Sequence, residues 1–212
     1  MKIVALILAR GGSKGIPHKN IVRINNKPLL AYTINASQKS KIQETWVSTD
    51  DVQIKLIAKE YNAFVIDRPE NLATDTAKSD DALIHFANQN NFDVLVFIQP
   101  TSPLVTYQDL NKGLELFMNS KYDSVFSVYK EHWIPRWTIS GKPDNWDINN
   151  RPMRQEVEEK FVENGAFYIT SKKALLKSQL RYSGKIGMVE MPINRSFQID
   201  TEDDLKLIKE LI

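Results

Sequence analysis

The apolar positions of this chain fall into short runs separated by amphipathic stretches. Ile3-Val4-Ala5-Leu6-Ile7-Leu8-Ala9 is continuous, the mark of a strand covered on both faces, and 93–98 repeats that character. Between such runs the spacing turns helical, over 28–40 (Leu29, Leu30, Ile34), 51–61, 80–89 and 107–119. Further short strands are predicted over 44–48, 63–66 and 124–128. Strand and helix alternate, so the pattern predicts an α/β fold, a three-layer α/β/α sandwich around a mainly parallel sheet.

The rhythm breaks over 129–160. Trp133, Trp137 and Trp146 lie there among Pro135, Pro143 and Pro152, followed by an Asn149-Asn150-Arg151 turn. Aromatics among prolines and charges suit an arm that packs on something other than its own sheet. A surface loop folded back on its own domain is the competing reading. The core would then comprise 1–128 and 161–212. It resumes with a strand over 161–170, a helix beginning at Ser171 and an edge strand over 186–192. Thr201 caps a last amphipathic helix bearing Leu205, Leu207, Ile208 and Leu211.

Composition narrows the chemistry. The 212 residues, 42% hydrophobic and 25% charged, describe an ordinary globular domain large enough for a real core. A net charge of +2 without long like-charge runs gives no nucleic-acid footprint. The absence of cysteine excludes disulfides, thiolate catalysis and cysteine-based zinc sites, and three scattered histidines argue against a histidine metal centre. The apolar start is too short for a signal sequence and no run reaches the length of a membrane span, so a cytoplasmic protein is expected.

The first apolar run breaks into Arg10-Gly11-Gly12-Ser13-Lys14-Gly15, with Pro17, Lys19 and Asn20 following. Glycines after a buried strand let backbone N–H groups approach a polyphosphate, and Arg10, Lys14 and Lys19 add positive charge. The spacing is neither the Walker nor the dinucleotide fingerprint, so a different nucleotide-handling loop is implied. A flexible basic loop is the plainer alternative.

The string ILARGGSKGIPHKN resembles the opening signature of the CMP-sugar synthetases, the cytidylyltransferases that activate sialic acid and related nonulosonic acids. DRPENLATDTAKSDD, FIQPTSPL, RQ followed by NGAFYI, and IDTEDDL occur in that family's order, so the resemblance covers nearly the whole chain. It implies a Rossmann-like nucleotidyltransferase fold of the GT-A kind, CTP and an acid sugar as substrates, Mg²⁺ as cofactor, and a homodimer in which the 129–160 arm helps to share the active site. Arg10 and Lys19 would be catalytic. Gly11, Gly12, Ser13, Asn20, Arg68, Ala77 and Ser79 would join them on the nucleotide. Gln99, Thr101, Ser102, Arg154, Gln155, Asn164 and Tyr168 would face the sugar, although a tyrosine in an apolar strand is usually core. His18 is not required by the motif, and no general base is evident.

One departure concerns the metal. Many relatives end this segment in Asp-Ile-Asp, two carboxylates on one face, whereas this chain has Gln198-Ile199-Asp200. Asp200 is therefore the expected ligand, with substrate phosphates completing the shell. The relatives that activate Kdo usually carry an acidic turn where this chain has the neutral Pro100-Thr101-Ser102-Pro103, which favours a nonulosonic acid. The alternatives are a nucleotidyltransferase for another acid sugar such as Kdo, or a weakened homologue that binds a nucleotide without transferring it.

Overall fold

The computed structural model describes residues 1–212. Its centre is one seven-stranded sheet built from β1 (Ile3–Leu8), β2 (Glu44–Thr49), β3 (Phe64–Asp67), β4 (Val94–Ile98), β5 (Ser124–Lys130), β6 (Phe161–Ser171) and β7 (Ile186–Glu190). Their order is β7-β5-β6-β4-β1-β2-β3. All neighbours run parallel except β6, which is antiparallel to both β4 and β5. Six helices cover it: α1 (Leu29–Gln38), α2 (Val52–Glu60), α3 (Ser79–Gln89), α4 (Tyr107–Asn119), α5 (Lys172–Ser178) and α6 (Glu202–Leu211).

Side-chain alternation along the strands makes two apolar layers. Ala5 and Ile7 of β1 pack with Ile34, Ile54 and Leu110 of α1, α2 and α4. Val4 and Leu6 point the other way, to Leu83 and Phe86 of α3 and Leu175 of α5. Each fully buried residue of this size contributes about 1.5–3 kcal/mol relative to exposure. This two-sided burial is why β1 reads as a continuous apolar run.

A third cluster fixes the place of α6. Ile199, Leu205 and Ile208 pack with Ile16, Ile24 and Leu29, which brings the end of the chain against the loop after β1. The helix starts at a reciprocal cap. The Asp204 amide donates to the Thr201 hydroxyl at 3.2 Å, and the Asp204 carboxylate accepts from the amides of Thr201 and Asp200 at 2.8 and 3.0 Å. Those amides hold the Asp204 carboxyl below its usual range.

Two local features depart from the simple pattern. A short ribbon pairs Arg23–Ile24 with Lys27–Pro28 through Asn25 and Asn26, both at positive φ, as a two-residue hairpin turn requires. In β6 the register with β5 shifts between Glu163 and Tyr168, a bulge centred on Asn164-Gly165. Gly165 has φ +70°, and a Cβ there would collide with the Gln198 amide nitrogen, so glycine is required on two counts.

Residues 131–160 leave the sheet. Arg136–Trp137 pairs with Pro143–Asp144, and Trp137 meets Trp146 edge to face at 5.0 Å. Ile134, Trp137, Ile139, Ile148 and Met153 remain exposed. No helix is long and apolar enough to cross a membrane.

Candidate active site

The chain runs outward from β1 to β3 and then returns to β4 on the other side of β1. That reversal opens a crevice beyond the carboxyl ends of β1 and β4, where open α/β sheets bind ligands. A cleft of about 390 Å³ lies there. Its wall carries Arg10, Lys14, Lys19, Arg68 and Lys78 against two carboxylates, Asp75 and Asp200.

The loop after β1 is braced from beneath. Asn20 is buried and its amide donates to the Arg10 carbonyl at 2.9 Å, which fixes the backbone where the loop begins. The Lys19 ammonium donates to the Ile199 carbonyl at 2.9 Å and to Asp200 Oδ1 at 2.8 Å. Gly15 lies against the Asp200 carbonyl so closely that a Cβ would overlap it. The glycine at 15 therefore serves the approach of the chain's own C-terminal segment. Gly11 donates its N–H to Asp50 Oδ1 at 3.0 Å, and Gly12 has open space around it. Neither Gly11 nor Gly12 lines the cleft, whereas Ser13 does.

Residues 72–79 form the facing wall, with Ala77 and Ser79 on the cleft and Ser79 opening α3. Arg10 donates to the Ala73 carbonyl at 3.3 Å and pairs with Asp75 at 2.8 Å. Lys14 meets the other oxygen of Asp75 at 2.9 Å. Arg68 enters from the end of β3, 7% exposed, with its guanidinium on the Ser48 hydroxyl and carbonyl at 3.1 and 2.5 Å. Burial pushes its pKa down to about 10, with the Asp50 charge opposing, so it stays cationic at neutral pH. Its direct acceptors are neutral, which leaves a buried positive charge facing an anion-sized space.

The floor comes from the turn after β4. The Gln99 amide donates to the Ala166 carbonyl at 3.1 Å, and Gln99 and Thr101 reach the cleft. Ser102 lies beneath, buried, with its hydroxyl unpartnered. Thr101 in turn accepts the Ile199 amide at 2.9 Å, so the floor and the segment bearing Asp200 are tied together.

Besides the buried Ser102, four of the expected sugar-facing residues are not brought to this cleft. Asn164 is spent inside the β6 bulge: its oxygen accepts from Ser127 Oγ at 2.6 Å and the Ala166 amide at 3.1 Å, and its nitrogen donates to Ser196 Oγ at 3.0 Å. Tyr168 is core, stacked on Phe97 at 5.6 Å with its hydroxyl donating to Glu163, and burial with that bond raises the phenol's pKa. Arg154 and Gln155 are exposed on a short turn of the arm, Arg154 hydrogen-bonded to His132. Exposure there leaves them available only to another surface.

The donor set for a metal is small. Asp200 is the carboxylate that meets Lys19, Asp75 meets Arg10 and Lys14 from the facing wall, and no group of three potential ligands exists. Gln198 donates its amide to the Asn164 carbonyl, a bond no carboxylate could make because two acceptors would face each other. That explains in this chain why position 198 is neutral. A hard cation that keeps several waters and takes phosphate oxygens fits one carboxylate.

Two contributors carry no signal of spacing. Asp75 is a loop carboxylate on the cations of the loop after β1. Arg181 pairs with both oxygens of Asp80 at 3.1 and 2.8 Å and stacks on Phe97 and Tyr168, pinning the start of α3 to the segment after α5. Only the acidic first turn of α3 hinted at a cationic partner.

Comparison with known proteins agrees with this geometry. A family profile described as cytidylyltransferase matches residues 4–212. N-acylneuraminate cytidylyltransferase A of Danio rerio is 37% identical over 99% of this chain and 50% of its own length. Post-translational flagellin modification protein B of Campylobacter coli is 30% identical, covering all of this chain and 95% of its own. The chain thus spans about half the length of the N-acylneuraminate cytidylyltransferases it matches. A solved CMP:2-keto-3-deoxy-manno-octonic acid synthetase complexed with CTP shares the fold with a TM-score of 0.76 at 17% identity, covering 100% of this chain and 98% of that one. So does 4-diphosphocytidyl-2C-methyl-D-erythritol synthase from Anaerococcus prevotii, at 0.69 and 14%, covering 99% of this chain and 97% of that one. With the profile matched along almost its whole length, the chain belongs to the cytidylyltransferase family.

Proposed function

We propose that this chain transfers the cytidylyl group of CTP to a nonulosonic acid, releasing pyrophosphate. The carrying observation is the cleft at the switch of strand order, where five cations face two carboxylates. A sugar hydroxyl oxygen attacks the α-phosphorus, the bond from that phosphorus to the bridging oxygen breaks in line, and the hydroxyl proton leaves to solvent. Such a displacement needs positioning and charge neutralisation more than covalent help. Arg10, Lys14 and Lys19 are placed to neutralise the triphosphate, and Arg68 the charge nearer β3. The backbone near Ala77 and the Ser79 hydroxyl suit the donor and acceptor edge of cytosine, and Gln99 and Thr101 offer polar groups to a polyhydroxylated acceptor.

Mg²⁺ fits as the cation: it would neutralise phosphate charge while Asp200 holds it. The chain acts as a homodimer in this reading. Arg154, whose planar fork matches a carboxylate, and Gln155 would then serve the sugar in the second subunit's cleft. A cytoplasmic location suits an enzyme that draws on CTP.

The test is pyrophosphate release with CTP and a divalent cation across N-acetylneuraminate, legionaminate, pseudaminate and Kdo. Turnover with one nine-carbon acid is the expected result. Turnover with Kdo alone would move the assignment to that sugar, and CTP binding without turnover on any acid would indicate a binding protein. Chelation by EDTA is expected to abolish turnover, restored by Mg²⁺.

A further inference from the structure

The cleft supplies its own anion. Asp75 gives one carboxylate oxygen to Arg10 at 2.8 Å and the other to Lys14 at 2.9 Å, bridging two cations of the phosphate loop from the opposite wall. We propose that Asp75 is an internal counter-anion that positions Arg10 and Lys14 in the empty cleft and yields them to the substrate's polyphosphate, thereby limiting how tightly pyrophosphate is retained. This deepens the reading of the cleft as a CTP site and rests on it.

Three observations carry the proposal. A carboxylate and a phosphate present the same paired oxygens to a guanidinium and an ammonium, so they compete for one place. Lys14 is mostly exposed and its recorded ion pair is with Asp75 alone, so without that residue the loop's cations would face one another unscreened. Asp75 is itself partly exposed, and such pairs exchange readily with a more highly charged anion. The hydrogen bonds from Lys14 and then Arg10 hold its carboxyl below the usual range, so it is ionised wherever the enzyme works. Asp75 also sits two residues before Ala77, on the wall that faces the nucleotide. Its release on phosphate binding frees that wall to settle on the base.

The test is calorimetric titration of inorganic pyrophosphate and of CTP into the wild-type protein, Asp75→Asn and Asp75→Glu, with and without Mg²⁺. Asp75→Asn is expected to bind pyrophosphate roughly two- to fivefold tighter, the worth of an exposed ion pair. Its kcat should fall as product release slows, with Asp75→Glu close to wild type. A misfolded variant would bind more weakly, so the direction of the change separates the role from damage. Equal or weaker pyrophosphate binding by Asp75→Asn, while wild type binds CTP, overturns the counter-anion role alone. Weakening confined to the titration with Mg²⁺ overturns it in favour of a metal ligand. Failure of the wild type to bind either CTP or pyrophosphate would remove the nucleotide reading and this proposal with it.

Discussion

The cleft and the arm are built on opposite principles. Around the cleft, the cationic side chains are held by the same chain: Lys19 by Asp200 and the Ile199 carbonyl, Arg68 by Ser48, Arg10 by Asp75 and Ala73. On the arm, Ile134, Trp137, Ile139 and Met153 point into solvent, with Ile139 wholly uncovered. A region that satisfies its own groups is finished by folding, whereas one that exposes large apolar side chains together is finished by a second surface. In the homodimer reading, the difference separates what one subunit does from what its pairing would add.

The strongest way to break this contrast is at Lys19. Replacing it by Met should lower kcat about 10²–10³-fold, the usual cost of one charge-stabilising donor, with an unchanged circular dichroism spectrum. Activity within a few-fold of wild type would mean that its pairing with Asp200 is only structural. Next comes the brace beneath the site. Ile199→Ala is expected to cost about 2–5 kcal/mol in urea unfolding, since a fully buried side chain is lost from the cluster that seats α6. A loss under about 1 kcal/mol would show the segment seated by its cap alone.

The arm should answer differently. Ile139→Ser should change unfolding free energy by no more than about 0.5 kcal/mol, as exposed positions do, while shifting the sedimentation profile towards monomer. A wild-type protein that sediments as a monomer at assay concentration would return the arm to its own domain. The smallest effect concerns acid. Burial alone would raise the carboxyls of Asp80 and Asp109, but the bonds from Arg181 to Asp80, and from Arg195 and Thr106 to Asp109, outweigh it and hold both below the ordinary 3.8. These pairs therefore contribute stability above that value and lose it as pH falls through the lower folded-state values. Thermal melts of Asp109→Asn should show less acid sensitivity than wild type, and parallel curves would refute the assignment.

Much of the fold was legible because its strands are buried on both faces and its helices on one, which writes short apolar runs and 3.6-residue spacing into the chain. Predicted helix and strand limits over 28–128 match the structure within a residue or two. The loop after β1 was legible in part: Arg10, Lys14 and Lys19 do line the cleft, whereas Gly11 and Gly12 do not and Gly15 answers to the Asp200 carbonyl. What was not legible depends on partners far apart in sequence. Nothing near Gly15 announces the Asp200 carbonyl, and nothing near Asn164 announces that Ser127, Ser196 and a bulge consume its amide. Asp75 lacks any periodicity, being an exposed loop acid until the fold sets it opposite Arg10.

The contact of Gly15 and Lys19 with residues 199 and 200 also bears on how the protein is made. Chains emerge from the ribosome N-terminus first and fold as units. Lys19 is synthesised 180 residues before the carbonyl that anchors it, and the helix that covers Ile16 follows still later. A nascent chain therefore cannot fix this loop in its folded geometry until residues 199–208 have emerged.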